Sequence, residues 1–155
     1  MMLVPYYKQK TDYTCGPACL KMVFEYLGKK EVTKEELGVL VKTHPERGTS
    51  TDDMRLAVIE HGLFYSEKKE ASLEDIRSFI ARDIPVIVDF IEPEDEDRHF
   101  AVVVGIDTER ITLNDPWHGE GFTMPVDDFE KRWGSPKNRY PKWLMAISRK
   151  EEDLH

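Results

Sequence analysis

At 155 residues the chain has the size of one domain, and with 40% hydrophobic residues it can bury a single core without disulfide staples. Charged residues make up 34% and the net charge is −8, a surface that disfavours nucleic acid and anionic membranes and suits neutral or basic ligands. No stretch approaches the ~20 apolar residues of a membrane span, and the N-terminus MMLVPYYKQK lacks the basic and apolar regions of a signal peptide.

In chain order, Thr14 is placed to cap a helix from Cys15 to Leu27, with Pro17 tolerated in its first turn. Leu20, Val23, Phe24 and Leu27 make its apolar stripe, and Gly28 stands at C′. Thr33 and Glu36 form a capping box for a second helix, to about Lys42. Thr43 to Thr49 reads as a loop. A third helix runs from Ser50 or Thr51 to Gly62, with Met54, Ala57 and Val58 inward and His61 a further candidate for that face. Leu63 to Ser66 suits a short edge strand. Ser72 caps a fourth helix with Leu73, Ile76, Phe79 and Ile80 on one face.

After Pro85 the period changes. Val86 to Ile91, Phe100 to Ile106, Ile111 to Asn114 and Trp143 to Ile147 read as strands, and Asp127 to Trp133 as a helix. Helices first and strands later argue α+β with a mostly antiparallel sheet. The expected architecture is a single domain, 1–155, in two lobes. A helical lobe at about 14–82 packs on a sheet lobe at about 85–148, with a cleft between them.

The two cysteines, Cys15 and Cys19, stand one helical turn apart, where a bridge is disfavoured; reduced thiols and a cytoplasmic setting are expected. A thiol at a helix start feels the positive end of the macrodipole, which favours the nucleophilic thiolate. Taken alone, Cys15 reads first as a small buried residue capping a core helix, and Cys19 reads as packing. Of the five histidines, His155 is terminal, His44 sits in the Pro-Gly loop and His61 suits a helix end. His99 opens the strand HFAVVVGI, where it can face a cleft as a base or meet solvent as a strand-end residue. Asp115 closes ITLNDPW; it can orient a base or make an Asp-Pro turn. If Ile106 pairs with Arg110 across a three-residue turn, Asp107 to Glu109, then Ala101 faces Asp115 and His99 lies diagonal to it on the same face. An even loop separates the two unless a bulge intervenes, for which Gly105 is a candidate. Gln9 can donate to an oxyanion beside the Cys15 backbone N–H.

Together, QKTDYTCGPACLKMVFEYLG, GTSTDDMRLAVIEHGL, RHFAVVVGI and ITLNDPW resemble the bacteriocin-processing (double-glycine leader) cysteine peptidases of the papain-like superfamily, over most of the chain. The resemblance implies a papain-like fold, Cys15 as nucleophile, His99 as base, Asp115 as its orienter and Gln9 as oxyanion donor. It implies that Trp117 shields the His–Asp pair from water. Typical members are fused to, or partner, ABC exporters; this chain carries no membrane segment, so no fused transporter is expected in it. The expected substrate is a peptide or small amide, with no nucleic-acid or membrane partner and no cofactor or metal. A papain-like hydrolase or acyltransferase acting on another amide or isopeptide bond, and a non-catalytic peptide-binding module, are the competing readings. A dithiol redox site lacks C-x-x-C spacing, and a metal site lacks a fourth ligand. His118, three residues after Asp115, is the rival base.

Overall fold

The computed structural model describes residues 1–9, 11, 14–40 and 49–155. The helix end expected at Lys42, the loop expected at Thr43 to Gly48 and His44 lie outside the described residues. In chain order the elements are α1 (Cys15–Tyr26), α2 (Lys34–Leu40), α3 (Thr51–Glu60), β1 (Phe64–Lys68), α4 (Leu73–Ala81), β2 (Val86–Ile91), β3 (Arg98–Ile106), β4 (Arg110–Asp115), β5 (Gly119–Pro125), α5 (Val126–Trp133) and β6 (Leu144–Ser148). Among the described residues the strands form one antiparallel sheet in the order β1-β6-β2-β3-β4-β5.

Strand alternation splits the core in two. Ile87, Phe100, Val102, Met145 and Ile147 face α1, α2 and α3. Val86, Val88, Phe90, Ala101, Val103, Leu144 and Ala146 face α4 and α5. The central strands are buried on both faces and read as nearly continuous apolar runs for that reason. The N-terminal helices therefore cover one side of the sheet, as expected, while α4 lies on the other.

The caps show which local rules held. Gly28, at φ +94°, ends α1 with the paired bonds Gly28 N–H to Glu25 O and Lys29 N–H to Phe24 O. Ser72 and Asp75 make a reciprocal capping box on α4. Ser50 accepts from the Asp53 N–H, and Thr33 from the Glu36 N–H, both at 3.1 Å. Thr14 does not cap α1 with its side chain. Its hydroxyl turns back instead, accepting from the Thr11 N–H and donating to the Thr11 carbonyl, each at 3.1 Å. A local Thr turn competes successfully with the helix for that hydroxyl.

The β3–β4 hairpin corrects the expected turn. Ile106 pairs with Ile111, not Arg110, so the turn Asp107–Arg110 is even, closed by Asp107 N–H to Arg110 O at 2.9 Å. Asp107 also accepts the Glu109 and Arg110 N–H groups, which favours this tighter closure. A bulge between Val103 and Gly105 then shifts the register by one. Beyond it Val103 pairs with Leu113 and Val102 with Asn114, the register in which Ala101 stands opposite Asp115. β5 adds a strand that is not among those expected from the sequence. Its GEGFTMP carries two glycines and a terminal proline, poor strand formers that an edge strand tolerates.

The first nine residues are tied along β3 and β4. Met2 N–H reaches Val104 O at 2.9 Å, Asn114 Nδ2 donates to Val4 O at 3.0 Å, and Gln9 N–H reaches Pro116 O at 3.0 Å. Tyr7 donates to Glu25 on α1. This strapping delivers Gln9 to the end of the sheet.

Candidate active site

Cys15 is the first residue of α1, and its thiol is nearly buried, at 9% exposure. The first backbone bond of the helix runs from Ala18 N–H to Thr14 O at 3.2 Å. The N–H groups of Cys15 and Gly16 thus have no intrahelical acceptor. Gly16 is needed for approach: a Cβ there falls 2.5 Å from Thr49 Oγ1 and 2.7 Å from Thr49 Cβ. Thr49 is buried, so Gly16→Ala is expected to cost about 1–3 kcal/mol by overpacking at the helix start. Urea unfolding of the variant beside the wild type measures this; an unchanged midpoint would show that Thr49 yields freely.

His99, 6% exposed, opens the buried part of β3. Its Nε2 meets Asp115 Oδ1 at 2.6 Å. The Cys15 thiol acts on the same ring as both a charge and a hydrogen-bond partner. With Nε2 committed to the carboxylate, Nδ1 is left for sulfur. Burial opposes the imidazolium, but Cys15 and then Asp115 outweigh it and raise the His99 pKa to about 10.

Asp115 is fully buried. Burial pushes its carboxyl up, but the His99 bond and charge and the N–H groups of His118 and Trp117 outweigh this and hold it below its ordinary value. Those two N–H groups reach the same Oδ1, at 3.0 and 2.9 Å. Oδ2 is buried and has no hydrogen-bond partner among the described residues. Tyr6 donates its hydroxyl to the Asp115 carbonyl at 2.8 Å. Burial first, then the Asp115 charge, push the phenol up to about 12, so it stays a donor.

His118, the rival base, stands beside His99 with ring centroids 6.2 Å apart, but its Nε2 meets Glu92 Oε2 at 3.0 Å and its ring stacks on Phe122. Glu92 also accepts the N–H groups of Glu94 and Asp95, both at 2.7 Å. The acidic run at 92–97 is therefore a loop folded around one carboxylate, a role its composition did not reveal. Cys19 is fully buried. Burial first, then the nearby Cys15 and Asp115 charges, push its thiol well above the ordinary value, so it remains protonated and inert.

Gln9 is buried, and its Nε2 donates one hydrogen to the Thr11 carbonyl at 2.7 Å. Two small cavities meet at this side chain. One, about 130 Å³, is lined by Glu92, Asp97, Arg98, His99 and Trp117. The other, about 180 Å³, lies over Thr14, Pro17 and Gly38. Trp117 is 40% exposed and borders the first cavity, while its backbone holds Asp115. A larger groove of about 760 Å³ runs between Arg82 and the C-terminal turn, on residues that include none of Cys15, His99 or Asp115. Among the described residues no cluster of His, Cys, Asp or Glu could hold a metal ion, and no helix is long and apolar enough to cross a membrane.

The structure thus joins His99 to Asp115, puts the Cys15 thiol within electrostatic reach of the same imidazole, and lines one cavity with Gln9 and His99. Sequence reasoning missed Tyr6, and it missed Asp89, whose carboxylate meets the Arg98 Nε at 2.7 Å. An aspartate inside the apolar run VIVDFI was the available signal for the latter.

No curated protein matches the chain. Solved structures do. The peptidase domain of Streptococcus ComA, a bifunctional ABC transporter involved in quorum sensing, is 22% identical, covering 93% of this chain and 97% of that one, with a TM-score of 0.73. A C39-like peptidase from Bacillus anthracis is 17% identical over 96% of both chains, with a TM-score of 0.74. A double glycine motif protease from an AMS/PCAT transporter, in complex with its leader peptide, is 21% identical over 93% and 90%, with a TM-score of 0.70. These share the mixed fold of helices and one antiparallel sheet, the papain-like architecture expected from the sequence. The Peptidase_C39 like family matches residues 1–140, and on that match the chain belongs to this family and is a cysteine-peptidase-like hydrolase.

Proposed function

We propose that the chain acts, as one domain, as a peptide hydrolase with Cys15 as nucleophile, His99 as acid and base, Asp115 as orienter and Gln9 as oxyanion donor. One observation carries the reading: a single imidazole meets a buried carboxylate at 2.6 Å on Nε2 and feels the charge and hydrogen bond of a thiol at a helix start. The Cys15 thiolate attacks the scissile carbonyl carbon, and the C=O electron pair moves to oxygen. That oxyanion is received by the Cys15 N–H and the second hydrogen of Gln9 Nε2. The tetrahedral adduct collapses as His99 Nδ1–H protonates the leaving amine, leaving a thioester. Neutral His99 then takes a proton from water, which attacks the thioester and releases the acid and the thiolate. Reduced, unbridged cysteines suit a reducing compartment such as the cytosol.

The test is labelling with an epoxide or peptidyl-aldehyde thiol probe, followed by a peptide library that includes sequences with Gly-Gly before the cleaved bond. Labelling is expected at Cys15 and not Cys19, with turnover of peptides. Labelling without peptide turnover would assign the site to another amide or isopeptide bond. A folded protein that does not label would leave only a peptide-binding cleft.

A further inference from the structure

Resting on that reading, we propose that Arg98 determines specificity: its guanidinium receives one carboxylate on the leaving-group side of the scissile bond, from an acidic side chain or from the substrate's own C-terminus. The side follows from the chemistry. His99 gives its proton to the leaving amine, so the leaving part of the substrate lies against His99. The cavity there is bordered by Arg98, Trp117 and the loop that follows β2.

Arg98 is anchored as a recognition group. Its Nε donates to Asp89 Oδ2 at 2.7 Å, and Asp89 is fully buried in β2. Its guanidinium carbon lies 5.5 Å from the Phe100 ring centroid and 5.7 Å from that of Tyr140. A guanidinium held on one edge and against two aromatic rings loses little freedom on binding. Among the described residues neither Nη makes a hydrogen bond, so the edge with both Nη groups is available. That edge matches the two oxygens of a carboxylate.

The neighbouring charges set the limit on what is accepted. Glu92 is occupied by two backbone N–H groups and His118. Burial pushes the Asp89 carboxyl up against the pull of Arg98, and Asp89 holds only the Nε edge of the guanidinium. Asp95 and Asp97 border the same cavity but are exposed, where solvent and salt screen them. They disfavour a polyanionic leaving group, so one carboxylate, directly on Arg98, is what fits.

Two matched pairs of peptides cleaved at one bond test this. In one pair the leaving part carries Glu or Gln; in the other it ends in a free acid or an amide. The wild type is expected to prefer the acid about tenfold or more in kcat/KM in one pair, and that pair identifies the source of the carboxylate. In Arg98→Gln the ratio is expected to fall toward one. Arg98→Lys keeps a charge beside Asp89 but loses the two-pronged edge, and an intermediate ratio is expected. If Arg98→Gln does not fold, the wild-type ratios and Arg98→Lys decide. No acid preference in either wild-type pair, or a ratio that survives both substitutions, overturns the assignment. The aldehyde probe has no leaving group. Labelling of Cys15 with flat ratios sinks only the role of Arg98, whereas neither labelling nor hydrolysis sinks the peptidase reading with it.

Discussion

Cys15→Ala is expected to lower kcat on a cleavable peptide by about 10⁴-fold or more, because removing the nucleophile leaves only positioning and oxyanion binding. The same substitution carries a second signature that mere misfolding would not give. The His99 pKa stands near 10 because Cys15, first, and Asp115, second, outweigh the burial that opposes the cation. Removing the sulfur deletes the larger support, so the imidazolium must lose its proton at lower pH. A histidine NMR titration should show His99 shifted down in Cys15→Ala. Full turnover in the variant, or a His99 titration that does not move, would remove Cys15 from the reaction.

Asp115→Asn is expected to keep far more activity than Asp115→Ala. Oδ1 accepts three donors: His99 Nε2 at 2.6 Å, Trp117 N–H at 2.9 Å and His118 N–H at 3.0 Å. An amide oxygen can take all three, so His99 keeps its orientation. The amide nitrogen then falls where Oδ2 is buried with no partner among the described residues, which is expected to cost about 1–3 kcal/mol of stability. Alanine instead strands all three donors and frees the ring, and a loss of about 10³-fold or more in kcat is expected, against about 10- to 100-fold for asparagine. The carboxylate is also one of the two supports of the imidazolium. The alkaline limb of the kcat/KM profile should therefore move to lower pH in Asp115→Asn. An asparagine variant as inactive as Cys15→Ala would mean that the charge of Asp115, rather than its geometry, is what the reaction needs.

Much of this molecule could be read from its amino acids alone, wherever the information is local. The 3.6-residue stripe and terminal Gly28 gave α1 to within one residue, because a positive φ at C′ is a backbone requirement that glycine meets without strain. Ser50, Thr33 and Ser72 marked helix starts for a similar reason. β2 matched its apolar run end to end. Cys15, His99, Asp115 and Gln9 were legible as residue types in an order, as was the need for an odd register between His99 and Asp115. Tertiary structure decided how that register arises. Asp107 closes an even turn with its own carboxylate, and a bulge between Val103 and Gly105 restores the alignment. Two local preferences with opposite effects on parity cannot be ranked without the partner strand. Tertiary structure alone also chose between histidines. His118 is nearer to Asp115 in sequence, but its Nε2 meets Glu92, and it gives Asp115 Oδ1 only its backbone N–H while His99 gives Nε2. Gln9 likewise reaches the cleft because Asn114, Tyr6 and Pro116 strap the first nine residues along β4, contacts between segments about a hundred residues apart that no local pattern encodes.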